Sequence, residues 1–164
     1  MVATHDGKFH CDEALACGLL RHTNKFRGCS ILRTRNPELI NRCDGVVDVG
    51  SVYDADKFLF DHHQKEFQGT LKTDLKQYNT RLSSAGLVYK HFGKEIILAY
   101  AEFCARIGRI NRELIAEEQD VRTRTIAAVY DALYKGFVEH IDGGDNGVEP
   151  FTGGVNFCKS PLGF

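Results

Sequence analysis

Apolar positions come first in short runs and later at helical spacing. Val2 and Ala3 form a short apolar run within residues 1–4, which predicts a strand, and residues 5–11 follow as a loop around Gly7. Ala14, Leu15, Gly18 and Leu19 then recur at helical spacing to about Leu20, with Asp12 and Glu13 in the first turn, where the helix dipole favours carboxylates. Residues 29–34 predict a second strand, and Pro37 opens a short helix reaching Arg42. The run 45–50 is Val-rich and contains Asp48, and the strand predicted over 57–60 leads directly into Asp61-His62-His63. Strands alternating with helices predict right-handed crossovers, hence an α/β fold with a parallel sheet flanked by helices.

The second half reads differently. Residues 64–80 are polar and aperiodic and predict an excursion without regular structure. From Ser83 the spacing is helical: Ser83 or Ser84 can cap, Leu87, Val88 and His91 share a face, and Gly93 can end the helix. Two more helices are expected over 94–115 and 121–141, making this half helix-rich, and after Asp142 the chain turns Gly-rich. There the expected domain, 1–147, gives way to 148–164, read as the truncated start of a linker or second domain.

Composition narrows the picture only where it excludes something. A formal net charge of -1 over 164 residues carries no global basic footprint, so a nucleic-acid partner needs a local patch. Arg21, Lys25, Arg27, Arg33 and Arg35 are one such group, and Arg106, Arg109, Arg112, Arg122 and Arg124 another, though such groups are more often solvated helix faces. The 6 cysteines form no Cys-x-x-Cys pair, which argues against a zinc ribbon or a disulfide framework and for a reducing, intracellular setting. No apolar run is long enough to span a membrane.

Four segments rich in His and Asp fall where an α/β sheet places its ligands, just past strand ends: His5 with His10 and Asp12, then Asp48, then Asp61-His62-His63, then Asp142 with Asp145. Singly each has a plain explanation, since loop histidines, helix-capping Asp and Asp-Gly turns are common. Asp48 is harder to dismiss, because a carboxylate ending a buried strand is costly unless paired or ligated. Imidazole and carboxylate without thiolate suits Mn²⁺, Fe²⁺ or Mg²⁺. Three carboxylates, Asp12, Asp48 and Asp142, against two divalent cations would leave about one positive charge to attract a phosphate. Asp142 is preferred over Asp145 because it directly follows the helical segment 138–141.

Asp61-His62-His63, Asp48 and the His-rich opening together resemble the DHH phosphoesterase superfamily. More narrowly, the stretches 4–16, 46–50, 61–64, 82–93 and 142–147 resemble the melanocyte proliferating gene 1 protein family. The resemblance implies a two-metal phosphodiesterase, with Mn²⁺ or alternatively Mg²⁺, acting as a 3′ to 5′ exonuclease on single-stranded RNA in the nucleus and mitochondrion. It implies metal ligation by His5, His10, Asp12, Asp48, His62 and Asp142, with Asp48 bridging and Asp61 orienting His62. His63 would contact the scissile phosphate, and Ser83, Ser84, Arg33 and Arg35 are the further expected substrate contacts. One departure stands out: the superfamily pattern Asp-x-Asp is here His10-Cys11-Asp12, which lowers the negative charge of the centre. Two alternatives stay open, a small-molecule phosphohydrolase acting on pyrophosphate or a dinucleotide, and a metal-binding module without catalysis.

Overall fold

The structure is a computed structural model describing residues 1–110 and 119–148. Strand β1 (Val2–Thr4), wholly buried, runs parallel to β2 (Ile31–Arg33) on one side and β3 (Gly45–Val47) on the other. Beyond β3, the short β4 (Tyr53–Asp54) and β5 (Leu59–Phe60) complete a five-stranded sheet in the order β2-β1-β3-β5-β4, β5 parallel to β3 and β4 antiparallel to β5. β1 and β3 contain only buried residues because both of their faces are covered, as parallel strands require.

Helix α1 (Cys11–Arg21) follows β1, its start fixed by the His10 amide donating to the Glu13 carboxylate at 2.8 Å, and it buries Ala16, Cys17 and Leu20. A four-residue α2 (Pro37–Ile40) is capped by the Asn36 side chain, which accepts from Glu38 N–H. The long α3 (Ser84–Arg106) packs extensively on α1, and α4 (Gln119–Leu133), a π-helical turn (Tyr134–Val138) and α5 (Glu139–Asp145) form one near-continuous helical stretch against α3. Val2, Leu20, Val47, Phe60, Leu87 and Tyr134 meet in a single core, and full burial of each aliphatic or Phe side chain stabilises by about 1.5–3 kcal/mol.

The structure departs from the sequence pattern in five places. Gly93 does not end a helix: a Cβ there would lie 2.7 Å from the Tyr130 ring and 3.0 Å from the Tyr89 ring, so glycine serves the close approach of α3 and α4. The polar stretch 64–80 holds an antiparallel hairpin, β6 (Thr70–Lys72) and β7 (Gln77–Arg81). The strand expected over 57–60 begins only at Leu59, after a 3-10 turn (Ala55–Lys57) capped by Asp54. The last helix continues through the glycines to Asp145 instead of ending before Asp142. The separate helix expected over 94–115 is instead the second half of α3, which ends at Arg106, with Gly108 just beyond at φ 71; residues 111–115 and the boundary segment from residue 149 lie outside the described residues. Among the described residues no helix is long and apolar enough to cross a membrane.

Candidate metal centre

Three adjacent parallel strands deliver their next residues to one edge of the sheet: His5 after β1, Asp48 after β3, and Asp61-His62-His63 after β5. Asp48 sits in the left-handed region (φ 55), as does Ser51 (φ 54), and Gly50 has φ 94. That tight turn carries the Asp48 carboxylate to the sheet edge, and Asp tolerates the conformation better than most residues. The amino end of α1 adds His10, Asp12 and Glu13, and the last turn of α5 adds Asp145.

The side chains converge. His5 Nε2 lies 3.3 Å from Asp48 and 3.6 Å from Glu13, while Asp48 also lies 3.7 Å from His62 Nδ1 and 3.4 Å from His63 Nδ1. His62 Nε2 lies 2.8 Å from Asp145. Three overlapping groups could each hold a cation, their ligand atoms within 4.8 Å of one another: His5, His10, Glu13 and Asp48; Asp48, Asp61, His62 and His63; His10, Asp12 and Asp145. Asp48 belongs to two of these groups, the position of a bridging carboxylate, and His10 links the first group to the third.

Five of the six expected ligands, His5, His10, Asp12, Asp48 and His62, are brought together, and Asp142 is not. Its carboxylate, fully buried, accepts from Ser83 N–H (2.9 Å), Ser83 Oγ (2.7 Å) and Tyr134 OH (2.8 Å), so it ties α5 to the start of α3. Asp145, one helical turn later, joins the third group instead, so the candidate ligands include five carboxylates: Asp12, Glu13, Asp48, Asp61 and Asp145. Asp61 does not orient His62. It accepts from His63 N–H (3.1 Å) and Ser51 N–H (2.6 Å) and lies 2.7 Å from His63 Nδ1. His62 is set instead by Ser84 Oγ, 3.1 Å from Nδ1, and by Asp145.

The expected substrate contacts divide. Ser83 and Ser84 are 0% exposed, so neither can touch a substrate: Ser83 caps α3 and binds Asp142, and Ser84 donates to Asp48 (3.3 Å) beside His62. Arg33 donates to the carbonyls of His5 (3.1 Å) and Gly7 (2.7 Å), and Arg35 pairs with Asp6 at 3.1 Å on the surface. Both arginines hold the His5–His10 loop. His63 faces solvent, its side chain 57% exposed, and His10 is exposed as well. Glu13 was missed because a first-turn acid reads as a helix cap, a role it also fills.

Burial and mutual repulsion govern the electrostatics. Burial, with the nearby Asp48 and Asp145 carboxylates, pushes the Asp12 carboxyl up to about 8. Burial also raises Asp48, against the opposing pull of His63 and His62. For Asp145 burial acts upward, but the hydrogen bond and charge of His62 prevail and hold it low. His62 is raised correspondingly, because Asp145 outweighs its burial.

Whether cations fit is answered by the unpartnered atoms. Both Asp12 carboxylate oxygens and His5 Nε2 are buried and accept or donate no hydrogen bond. A buried carboxylate left bare costs several kcal/mol, and a divalent cation among Asp12, Asp48 and Asp145 would remove that cost. The Gly7 amide donates to His5 Nδ1 (3.1 Å), placing the neutral ring's proton on Nε2, so ligation there requires this amide to yield. The donors are mixed, imidazole from His5, His10, His62 and His63 beside carboxylates, with no thiolate among them.

The fold and this cluster together define an α/β domain whose His, Asp and Glu side chains, gathered at the carboxyl edge of its parallel sheet, could hold metal ions. The profile of the "Uncharacterised protein family (UPF0160)" matches residues 1–159, and the chain belongs to that family. It is 44% identical over 154 residues to a MYG1 protein of Schizosaccharomyces pombe, covering 94% of this chain and 42% of that protein. It is 41% identical over 155 residues to the MYG1 exonuclease of Homo sapiens, covering 93% of this chain and 37% of the human protein, and 41% identical over 161 residues to a MYG1 protein of Caenorhabditis elegans, covering 98% and 43%. The chain thus spans about two-fifths of the length of the curated relatives it matches. No solved structure matches it.

Proposed function

We propose that this chain is the metal-dependent phosphodiesterase domain of a DHH-type 3′ to 5′ exonuclease acting on single-stranded RNA, with two divalent cations, Mn²⁺ or Mg²⁺. The observation that carries the reading is the bare, buried Asp12 carboxylate beside Asp48 and Asp145, with the four imidazoles of His5, His10, His62 and His63 in the same clusters. The exonuclease name of the mammalian relatives supports a nucleic-acid substrate.

Bound divalent cations supply electrophilic charge and water activation at such a centre. The chain's own groups do the rest. Asp48 and His62 are held in place by Ser84, so the central carboxylate and its neighbouring imidazole are set before substrate arrives. Asp61, itself fixed by Ser51 N–H, takes His63 Nδ1–H and leaves Nε2 facing outward, from which the ring in its imidazolium form can donate to a non-bridging phosphate oxygen. The exposed His63 ring therefore positions the scissile phosphate, while the buried groups keep the site's charge in place.

A small phosphate ester is the second reading, favoured because Arg33 and Arg35 are already engaged with backbone and with Asp6 rather than forming an open basic groove. Purified protein is assayed with Mn²⁺ on end-labelled single-stranded RNA, DNA and pyrophosphate. Stepwise loss of 3′ nucleotides from RNA supports the proposal. Cleavage of pyrophosphate alone shifts the assignment to the small substrate, and no metal-dependent hydrolysis of any of the three overturns it.

A further inference from the structure

Phe9 is unlike the other exposed apolar residues. It is 74% exposed, the most exposed of the large hydrophobic side chains described, and it sits in the loop whose ends are His5 and His10, both in the candidate centre. A lone surface aromatic is unremarkable in itself. This ring, however, is fixed from one side: the Arg33 guanidinium lies 3.7 Å from its centroid. Arg33 is in turn tied to the His5 and Gly7 carbonyls of the same loop, so the stack is anchored to the backbone that presents the His5 and His10 imidazoles. One face of Phe9 is used for this, and the high exposure leaves the other to solvent. His10 follows Phe9 directly in the chain, and its ring lies 5.3 Å from that of His5.

An aromatic ring backed by a guanidinium, open on its other face and next in sequence to a candidate ligand, is the arrangement on which nucleobases stack. Stacking is tolerant of base identity, since every base has a π-face. We infer that Phe9, held by Arg33, is the platform on which the terminal base of the substrate rests while its phosphate is at the metal centre. The inference rests on the phosphodiesterase reading and adds the base-recognition element that reading lacks. It also gives Arg33 a defined part: a positioning residue behind Phe9, and not a phosphate contact.

The experiment uses the purified full-length protein with Mn²⁺ and short single-stranded oligonucleotides bearing 2-aminopurine at the 3′ or the 5′ end, the terminal linkage made non-hydrolysable. Stacking on Phe9 quenches the fluorophore on binding in wild type, whereas Phe9→Ala binds about ten- to a hundredfold more weakly with the quenching lost, and Phe9→Trp restores both. Arg33→Gln, which removes the guanidinium behind the ring and can keep at most one of its two bonds to the loop carbonyls, should give intermediate quenching. Circular dichroism and bound metal are recorded for every variant, so that a damaged loop is told apart from a lost platform. Binding without quenching, or equal quenching in Phe9→Ala, overturns the platform and leaves the phosphodiesterase reading standing. Absence of both binding and cleavage of unmodified oligonucleotides overturns that reading, and the platform with it.

Discussion

Asp142 and Asp145 stand one helical turn apart, and the structure gives them opposite jobs, which makes their substitutions the sharpest comparison available. Asp142 receives three hydrogen bonds, from Ser83 N–H, Ser83 Oγ and Tyr134 OH, at full burial. Each bond to a charged acceptor contributes about 1.5–3 kcal/mol, and burial, which lifts this carboxyl to about 6, takes part of that back. Asp142→Ala leaves buried donors bare on both helices and should cost about 3–5 kcal/mol, a large part of a domain stability of about 5–15 kcal/mol. Asp142→Asn keeps an oxygen for Ser83 and turns an amide toward the Tyr134 oxygen, so it should cost only about 1–2 kcal/mol. Asp145→Asn, with a side chain 17% exposed, should change stability by less than about 1 kcal/mol yet weaken cation binding at least about tenfold. Urea unfolding of the metal-free proteins reads the first quantity and Mn²⁺ titration calorimetry the second. If Asp142→Asn loses a bound cation at unchanged stability while Asp145→Asn keeps its full complement, the assignment of the two carboxylates is wrong.

Other expectations follow from the same geometry. Ser84→Ala removes the hydroxyl that sets His62 and Asp48, and Mn²⁺ affinity should fall about 10- to 100-fold with a stability loss of about 1 kcal/mol, read by the same calorimetry and by thermal melting. Gly86→Ala would place a Cβ 2.4 Å from both Asp142 oxygens, so it should destabilise by about 2–4 kcal/mol and lower the melting temperature without needing metal to show it. With its folded pKa raised to about 8, Asp12 contributes stability that is present below about pH 4 and lost as pH rises through about 8. The metal-free wild type should therefore lose stability relative to Asp12→Asn over that window, measured by denaturant midpoints at stepped pH. Because that proton must leave before a cation enters, Mn²⁺ affinity should climb with pH and level off above about 8; calorimetry in buffers of different ionisation enthalpy should detect the released proton.

How much of this was legible in the sequence depends on whether the governing contact was local. The parallel sheet was readable from short Val- and Ile-bearing runs alternating with a capped helix, and Asp48 from the cost of a carboxylate at a buried strand's end. Asp142 was preferred because it directly follows the segment read as helical, 138–141, whereas the helix runs on through Gly143 and Gly144 to Asp145, and the Asp142 carboxylate accepts from Ser83 and Tyr134. Gly93 failed as a helix stop for a related reason: its small size is demanded by Tyr130, 37 positions further along the chain, and not by the local backbone. The β6–β7 hairpin escaped notice since one face is solvated and its inward residues, Leu71 and Tyr78, are too few to show a period of two. Ser84's hold on His62 spans 22 positions and has no signature in spacing at all.

The central claim is that imidazoles and carboxylates from distant segments share divalent cations around Asp48. Elemental analysis of the purified protein beside Asp48→Ala and His62→Ala, each confirmed folded, tests it most directly. The account predicts about two equivalents of Mn²⁺-like metal in wild type and the loss of at least one in each variant. Equal metal content in all three proteins would contradict it.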